Sequence, residues 1–205
     1  ASAAGIVIKE DADYEGVRVT FRGSLQNMPI PMQIDIGFGD VIFPEATVTE
    51  YPVILNHTPP KLRSYRRETT VAEKFEAMVK LGLLNSRMKD FFDIWLLSRQ
   101  FDFDGATLAE AIRRTFANRG TTVTDEPTAF TTEFATDSGK VAQWQAFVRR
   151  LRVNQSTPDL AGVCKTVSEF LSPPAAALSA GRPFRGIWRS GGPWTESGRG
   201  EFARF

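Results

Sequence analysis

The chain has 205 residues, of which 42% are hydrophobic, and it carries 25 lysines and arginines against 24 aspartates and glutamates. A chain of this length and hydrophobicity can bury a real core in one compact domain or two small ones, which argues against a disordered protein. The near-neutral balance shows no sign of the strong positive field of a dedicated nucleic-acid binder, so any basic surface must come from local clustering.

The first 45 residues predict strands by their alternation of apolar and polar side chains. Residues 16–25 and 31–38 each place apolar side chains on one face, and residues 26–29 supply the turn of a hairpin. Asp35 lies on the face opposite Ile34 and Ile36, beside glycine, where a fixed carboxylate is placed to bind Mg²⁺. The alternative is an exposed aspartate on a half-buried strand.

Residues 44–66 are rich in proline and predict a connection between two structural parts. Everything after them predicts helix. Thr70 and Glu73 have the spacing of a capping box at the start of the first helix, and a second helix follows Ser86 after a short joint. Further helices are expected near 107–118, 128–135, 139–152 and 158–171.

The residues after Ser172 are rich in proline, glycine, serine and arginine, with Trp188 and Trp194 among them. Such a tail either docks its tryptophans on the domain or is mobile, and the sequence leaves both open. The expected organisation is an α+β fold: a small partial β-sheet over residues 1–58, an α-helical domain over 59–172, and a tail over 173–205.

The single cysteine and the single histidine limit the available chemistry. Cys164 excludes an internal disulfide, fits a reducing cytoplasm, and is expected to be a small apolar core residue. His57 lies in a turn-rich stretch, so a zinc hydrolase with several nitrogen or sulfur ligands is improbable. No stretch approaches the roughly 20 apolar residues of a membrane span, so we expect a cytoplasmic protein. With one histidine and one cysteine, any catalysis is expected to use carboxylates, lysine and a hard cation.

The two predicted helices carry the candidate site. Lys74 flanks the apolar stripe of the first helix, where such a lysine either extends to water or provides a point charge for a triphosphate. On the second helix a dense set of charges lies among aromatic residues, which is either a solvated face or a partly buried polar network: Arg87, Lys89, Asp90 and Asp93. Arginine pairs at 113–114 with Arg119, and at 149–150 with Arg152, are typical of solvated helices or of a modest RNA-binding face.

Three segments in this order resemble the nucleotidyl transferase AbiEii/AbiGii toxin family: QIDIGFGD at 33–40, ETTVAEKFEAM at 68–78 and NSRMKDFFDIW at 85–95. That family is similar to polymerase-β-like nucleotidyltransferases, and the resemblance implies a truncated form of their fold. It implies nucleotide transfer from a nucleoside triphosphate (NTP) with Mg²⁺, a cognate antitoxin as partner, and in some members tRNA as acceptor.

The resemblance also implies roles for particular residues. Lys74 matches the lysine that contacts the triphosphate, with Arg87 and Lys89 as further candidates for binding it. Asp90, with Asp93 beside it as a further catalytic candidate, matches the catalytic-site acid of the later motif, and Asp35 resembles the later strand carboxylate, a metal ligand.

One part of the family pattern is missing. The family's Gly-Gly-Ser/Thr turn and Asp-x-Asp strand do not occur before Asp35, and Asp11-Ala12-Asp13 lacks the glycine turn. Because paired acids hold the metals in such a site, we expect these residues alone to be inactive and the missing elements to lie upstream. The competing hypothesis is a non-catalytic helical module that binds RNA or a protein, with the charged motifs as structural salt bridges.

Overall fold

The computed structural model describes residues 3–10, 14–151 and 157–196. They belong to two compact units, Ala1–Val41 and Ile42–Phe205. Helices and small antiparallel sheets together make an α+β fold, as predicted. The domain boundaries expected near residues 58 and 172 stay a prediction.

The first unit is a three-stranded antiparallel sheet in the order β1-β2-β3, formed by Ala3–Glu10, Tyr14–Leu25 and Met28–Gly37. The expected hairpin is confirmed: Leu25 pairs with Met28 across a two-residue turn. Gln26 takes a φ of 53° there. Two-residue hairpin turns favour positive φ because their twist then matches that of the strands.

The register places apolar residues of the sheet opposite one another, as the alternation predicts. Val19 pairs with Ile34, and Val17 pairs with Ile36. Within the described chain Ile34 and Ile36 expose 51% and 41% of their surface. These side chains therefore line a sheet face that is largely open to solvent.

The second unit begins with a hairpin of β4 (Thr47–Glu50) and β5 (Lys61–Ser64). Its helices and short strands follow in the order α1 (Arg67–Leu81), α2 (Met88–Gln100), β6 (Phe103–Asp104), α3 (Gly105–Asn118), α4 (Thr132–Thr136), α5 (Ser138–Leu151), α6 (Leu160–Ser179), β7 (Ile187–Trp188) and β8 (Trp194–Thr195). Two 3₁₀ turns, Gly82–Leu84 and Thr128–Phe130, lie between helices. The β4–β5 hairpin was not predicted. The prolines of this stretch indicated an irregular connection, but they lie outside the two short strands and so do not interrupt their pairing.

The helices bury their apolar stripes in one core. Val71, Phe75 and Met78 of α1 are fully buried, and Phe91 of α2 joins them. Cys164 is 2% exposed, which confirms it as a core residue. Its burial raises the pKa of the thiol to about 12, so the thiol is protonated at ordinary pH.

The predicted capping box at Thr70 is wrong. Helix α1 begins at Arg67, and its N-cap, Arg66, makes no side-chain capping bond. The hydroxyl of Thr69 instead donates to the Phe43 carbonyl at 2.7 Å and accepts from the Phe43 N–H at 3.2 Å. Docking of this preceding segment lets the helix begin one turn earlier, which leaves Thr70 inside the first turn.

The described part of the tail docks on the helical unit, through residue 196. Helix α6 continues past the end expected near 171, because Pro174 and Ala175 are buried in the core. Strand β7 then pairs with both β6 and β8. Trp188 is 1% exposed, and its indole N–H donates to the Ser98 carbonyl at 2.6 Å.

Candidate functional site

A lysine of α1 lies between two acids of α2. Lys74 Nζ is 2.6 Å from Asp90 Oδ1 and 2.9 Å from Asp93 Oδ2. Residues three apart on a helix share a face, so both carboxylates point toward α1. The short 3₁₀ turn Gly82–Leu84 keeps the two helices together. The structure therefore brings Lys74, Asp90 and Asp93 together, while their catalytic roles stay a prediction.

Two further cations surround the same acids. Arg87 Nε is 2.9 Å from Asp90 Oδ2, and Lys89 Nζ is 2.5 Å from Asp93 Oδ2. Three cations thus share two carboxylates, which leaves one net positive charge. The Asp90 side chain is 5% exposed, whereas those of Arg87 and Lys89 are 53% and 70% exposed. The cluster presents its positive charge to solvent and keeps its negative charge inside, which suits an anionic ligand.

The lysine at the centre keeps its proton. Burial by itself lowers the pKa of Lys74, but the hydrogen bonds to Asp90 and Asp93 outweigh that effect and raise the pKa above its ordinary value. Two acceptors occupy two of the three ammonium hydrogens. Lys74 is therefore a fixed cation at physiological pH and unsuited to act as a general base.

Two buried polar residues support the turn into α2, and the sequence reasoning missed both. Asn85 is fully buried, and its Oδ1 accepts the backbone N–H of Arg87 at 2.8 Å. Lys140 of α5 donates from Nζ to the Asn85 carbonyl at 2.8 Å. An asparagine that bonds the backbone two residues on is a known turn signal, but nothing in the sequence predicts the lysine 55 positions away.

Asp35 lies in the first unit, in a different environment. Arg18 donates to its two oxygens from Nε and Nη2 at 2.8 and 2.9 Å, and Gln33 donates to them at 3.1 and 3.0 Å. The hydrogen bond from Arg18 is the main reason why the pKa of Asp35 lies below its ordinary value. The role of Asp35 as a metal ligand stays a prediction.

The described residues do not fit a magnesium ion by themselves. Mg²⁺ needs several hard oxygen ligands, but no group of three or more acids, histidines or cysteines comes together in residues 3–10, 14–151 and 157–196. Asp35 is already matched by a guanidinium. Asp90 and Asp93 are matched by an excess of cations. Asp11 to Asp13 lie outside the described residues.

The other arginine clusters are mostly paired. Arg113 and Arg114 both bind Glu110, with contacts of 2.7 and 2.6 Å. Arg119 binds the buried Glu76 at 2.8 Å. The arginines at 149 and 150 are exposed at the end of α5, and residue 152 lies outside the described residues. Each of these three arginines near 113–119 therefore already has an acidic partner in the described structure.

Comparison with known proteins places most of the chain in one family model. A model of the family described as "Nucleotidyl transferase AbiEii toxin, Type IV TA system" matches residues 2–171. No curated protein and no solved structure matches the chain. The matched span contains the Lys74 cluster, by which we mean Lys74, Arg87, Lys89, Asp90 and Asp93. It ends before strands β7 and β8. Across the described residues, no helix combines the length and apolar character needed to cross a membrane.

Proposed function

Because the chain belongs to the family of AbiEii nucleotidyl transferase toxins of type IV toxin–antitoxin systems, we propose that the Lys74 cluster binds the triphosphate of an NTP. In a site that also has the Asp-x-Asp acids of the family pattern, we propose that the nucleotide is then transferred to an acceptor. The observation that carries this proposal is Lys74 Nζ, held at 2.6 and 2.9 Å by two acids. Its third ammonium hydrogen remains for a phosphate oxygen.

The role that we propose for each residue of the site follows from the exposure of its side chain. Lys74, at 19% side-chain exposure, provides a fixed charge at the base of the site. Arg87 and Lys89 form the exposed rim, where a guanidinium and an ammonium meet the outer phosphates. Asp90 and Asp93 orient these cations. Such preorganised charge stabilises the transition state because it needs no rearrangement during the reaction.

The reaction proposed is a simple displacement. An acceptor hydroxyl oxygen bonds to the α-phosphorus while the bond from that phosphorus to the bridging oxygen breaks. Pyrophosphate leaves, and the hydroxyl proton passes to solvent. Lys74, Arg87 and Lys89 neutralise the charge that grows on the departing phosphates.

Mg²⁺ enters this proposal as the companion of the NTP, since the described residues do not form its site. We also propose an RNA such as tRNA as the acceptor and a cognate antitoxin as partner. Because the sequence before Asp35 lacks the Gly-Gly-Ser/Thr turn with Asp-x-Asp, we propose that this chain binds nucleotide without turning it over. Binding is therefore the readout for the test.

The test is isothermal titration of the chain with each NTP in the presence of Mg²⁺. Lys74→Ala and Asp90→Asn should weaken binding by about tenfold or more, since each removes a charge-assisted contact or its support. Lys165→Ala, a change at an exposed lysine of α6, is the matched control and should leave binding unchanged. Equal binding by all four proteins would refute the proposed site.

A second candidate is a non-catalytic module in which this cluster is a structural ion network. It is favoured by one observation: Lys74, Arg87 and Lys89 each already lie within 3 Å of an acid, at 2.6, 2.9 and 2.5 Å. In that case no NTP binds, and Lys74→Ala changes only the stability of the fold. The same titration separates the two candidates.

A further inference from the structure

A basic segment leads from the β4–β5 hairpin into α1. Residues 61–67 contain four cations and no acid, in a chain whose net charge is only +1: Lys61, Arg63, Arg66 and Arg67. The proposed function makes no use of this segment. Such local crowding creates a positive field that the overall charge balance conceals.

The strand geometry aligns two of these cations. In β5, Lys61 pairs with Glu50 and Arg63 pairs with Val48. Alternate residues of a strand share a face and are spaced by about 7 Å. Tyr65 comes directly after the end of β5 and is 44% exposed. Lys61 and Arg63 thus lie on one face of β5, and an aromatic ring follows just beyond the strand.

Three of the four cations are available to a ligand. Lys61 lies 3.8 Å from Glu50, but these side chains are 71% and 65% exposed, so water screens the pair. Arg66 is 3.7 Å from Glu68, a loose contact. Arg63 has no hydrogen-bond or ion-pair partner among the residues that the structure describes. We call Lys61, Arg63 and Arg66 the basic ribbon.

Arg67 is excluded from the basic ribbon because it is structural. Its guanidinium lies 4.6 Å from the centre of the Phe101 ring and donates to the Asp102 carbonyl at 3.3 Å. These contacts attach the start of α1 to the end of α2.

The basic ribbon leads directly to the Lys74 cluster. Arg66 is the N-cap of α1, and Lys74 is eight residues further along the same helix, about 12 Å along its axis. A linear polyanion bound along the ribbon would therefore have one end close to the proposed reaction site.

We infer that Lys61, Arg63 and Arg66 bind successive phosphates of a single-stranded polynucleotide, the acceptor of the transferred nucleotide, with Tyr65 stacking on a base. The inference rests on the proposed function for the acceptor role, but its charge argument stands on the ribbon. Lys61 and Arg63 at alternate strand positions match a linear array of phosphates, Arg66 continues the positive charge toward α1, and an aromatic ring stacks on an unpaired base. An unpaired end also presents the free hydroxyl that the transfer needs.

The experiment measures binding of fluorescent 20-nucleotide single strands, RNA and DNA in separate arms, by anisotropy at several salt concentrations. The test protein is the full chain with Lys61→Ala, Arg63→Ala and Arg66→Ala. The matched control carries Arg149→Ala, Arg150→Ala and Lys165→Ala, which removes three exposed cations elsewhere on the helical unit. Circular dichroism verifies that both fold.

Loss of the ribbon should lower affinity by about tenfold or more near 0.1 M salt, and should reduce the slope of log K against log salt by about 2. The control should change affinity by less than about threefold. The arm with the tighter ribbon-dependent binding identifies the acceptor as RNA or DNA. No binding in either arm would overturn the inference, and so would an equal loss in the control.

Two further arms separate the alternatives. Ribbon-dependent binding to phosphatidylserine vesicles, with none to polynucleotide, would overturn the inference in favour of a membrane surface. Lys74→Ala should lose NTP binding and keep polynucleotide binding, whereas the ribbon variant should do the reverse. Ribbon-dependent polynucleotide binding by a chain that binds no NTP supports the surface and refutes the transfer function alone.

Discussion

Lys140 of α5 holds the turn at Asn85 that joins the two helices of the candidate site, through a hydrogen bond of 2.8 Å from Nζ to the backbone carbonyl. Lys140 is only 9% exposed, and its ammonium also lies 5.5 Å from the centre of the Phe134 ring. A third helix thereby fixes the spacing of Lys74 and Asp90.

Lys140→Met should destabilise the fold by about 1 to 3 kcal/mol, because it leaves a buried carbonyl without its donor. Urea denaturation measures this. Lys165→Met replaces a lysine whose side chain is 77% exposed and should change stability by less than about 0.5 kcal/mol. Equal effects of the two substitutions would show that the Asn85 contact contributes nothing.

The buried and the exposed arginine ion pairs should differ sharply in how much each contributes to the free energy of unfolding. Arg119→Ala leaves the Glu76 carboxylate, 2% exposed, without its cation, which should cost about 3 kcal/mol or more. Arg113→Ala breaks a pair whose side chains are 56% and 30% exposed, and it should cost less than about 1 kcal/mol. Chemical denaturation of both variants in one buffer tests the ranking, and a reversed order would contradict it.

The sequence predicts the elements whose signal is local and misses those that depend on distant partners. The apolar stripe of α1 predicts its buried face, and the spacing of Asp90 and Asp93 predicts that both carboxylates share one side of α2. The predicted start of α1 was wrong because the Thr69 hydroxyl bonds to the backbone of Phe43, 26 residues earlier. No local pattern contains such a contact.

The tail and the hairpin were hard to predict for a different reason. Proline and glycine mark breaks in regular structure, but they do not show whether the intervening residues pair with something else. Trp188 packs because Ser98, 90 residues earlier, offers a carbonyl. The short strands β6, β7 and β8 stabilise one another only once the core has brought them together.

Glu110 should make stability depend on pH in the acid range. Arg113 is the main cause that lowers the pKa of this carboxyl from 4.5 to about 2. A lowered pKa gives stabilisation that is present above pH 4.5 and is lost as the pH falls toward 2. The stability difference between the wild type and Glu110→Gln should therefore shrink over that interval, as followed by urea denaturation at successive pH values. A constant difference would mean that the arginines do not perturb Glu110.

Cys164 should be inert in the folded protein. Its pKa of about 12 leaves almost no thiolate at pH 8, and the side chain is buried. A chromogenic disulfide reagent should label it slowly in native buffer and fully in denaturant. Rapid labelling under native conditions would show that α6 opens readily.

Trp188→Ala should destabilise the helical unit by about 3 to 5 kcal/mol, although this residue lies beyond the span matched by the family model. The indole ring lies 5.0 Å from Phe170 and 5.5 Å from Trp194, between ring centres. Removing the indole would leave a large cavity and take away one of the two hydrogen bonds that the Ser98 carbonyl accepts, the other coming from the Gly191 N–H.

Two matched variants test how Trp188 acts. Trp188→Phe keeps a ring but loses the hydrogen bond to Ser98, so it should lie between the wild type and Trp188→Ala. Arg185→Ala, at an exposed position of the same segment, should be close to neutral. Urea unfolding followed by far-ultraviolet circular dichroism measures all three. If Trp188→Ala were as stable as Arg185→Ala, β7 and β8 would be peripheral additions, and the helical core would be complete at the end of α6.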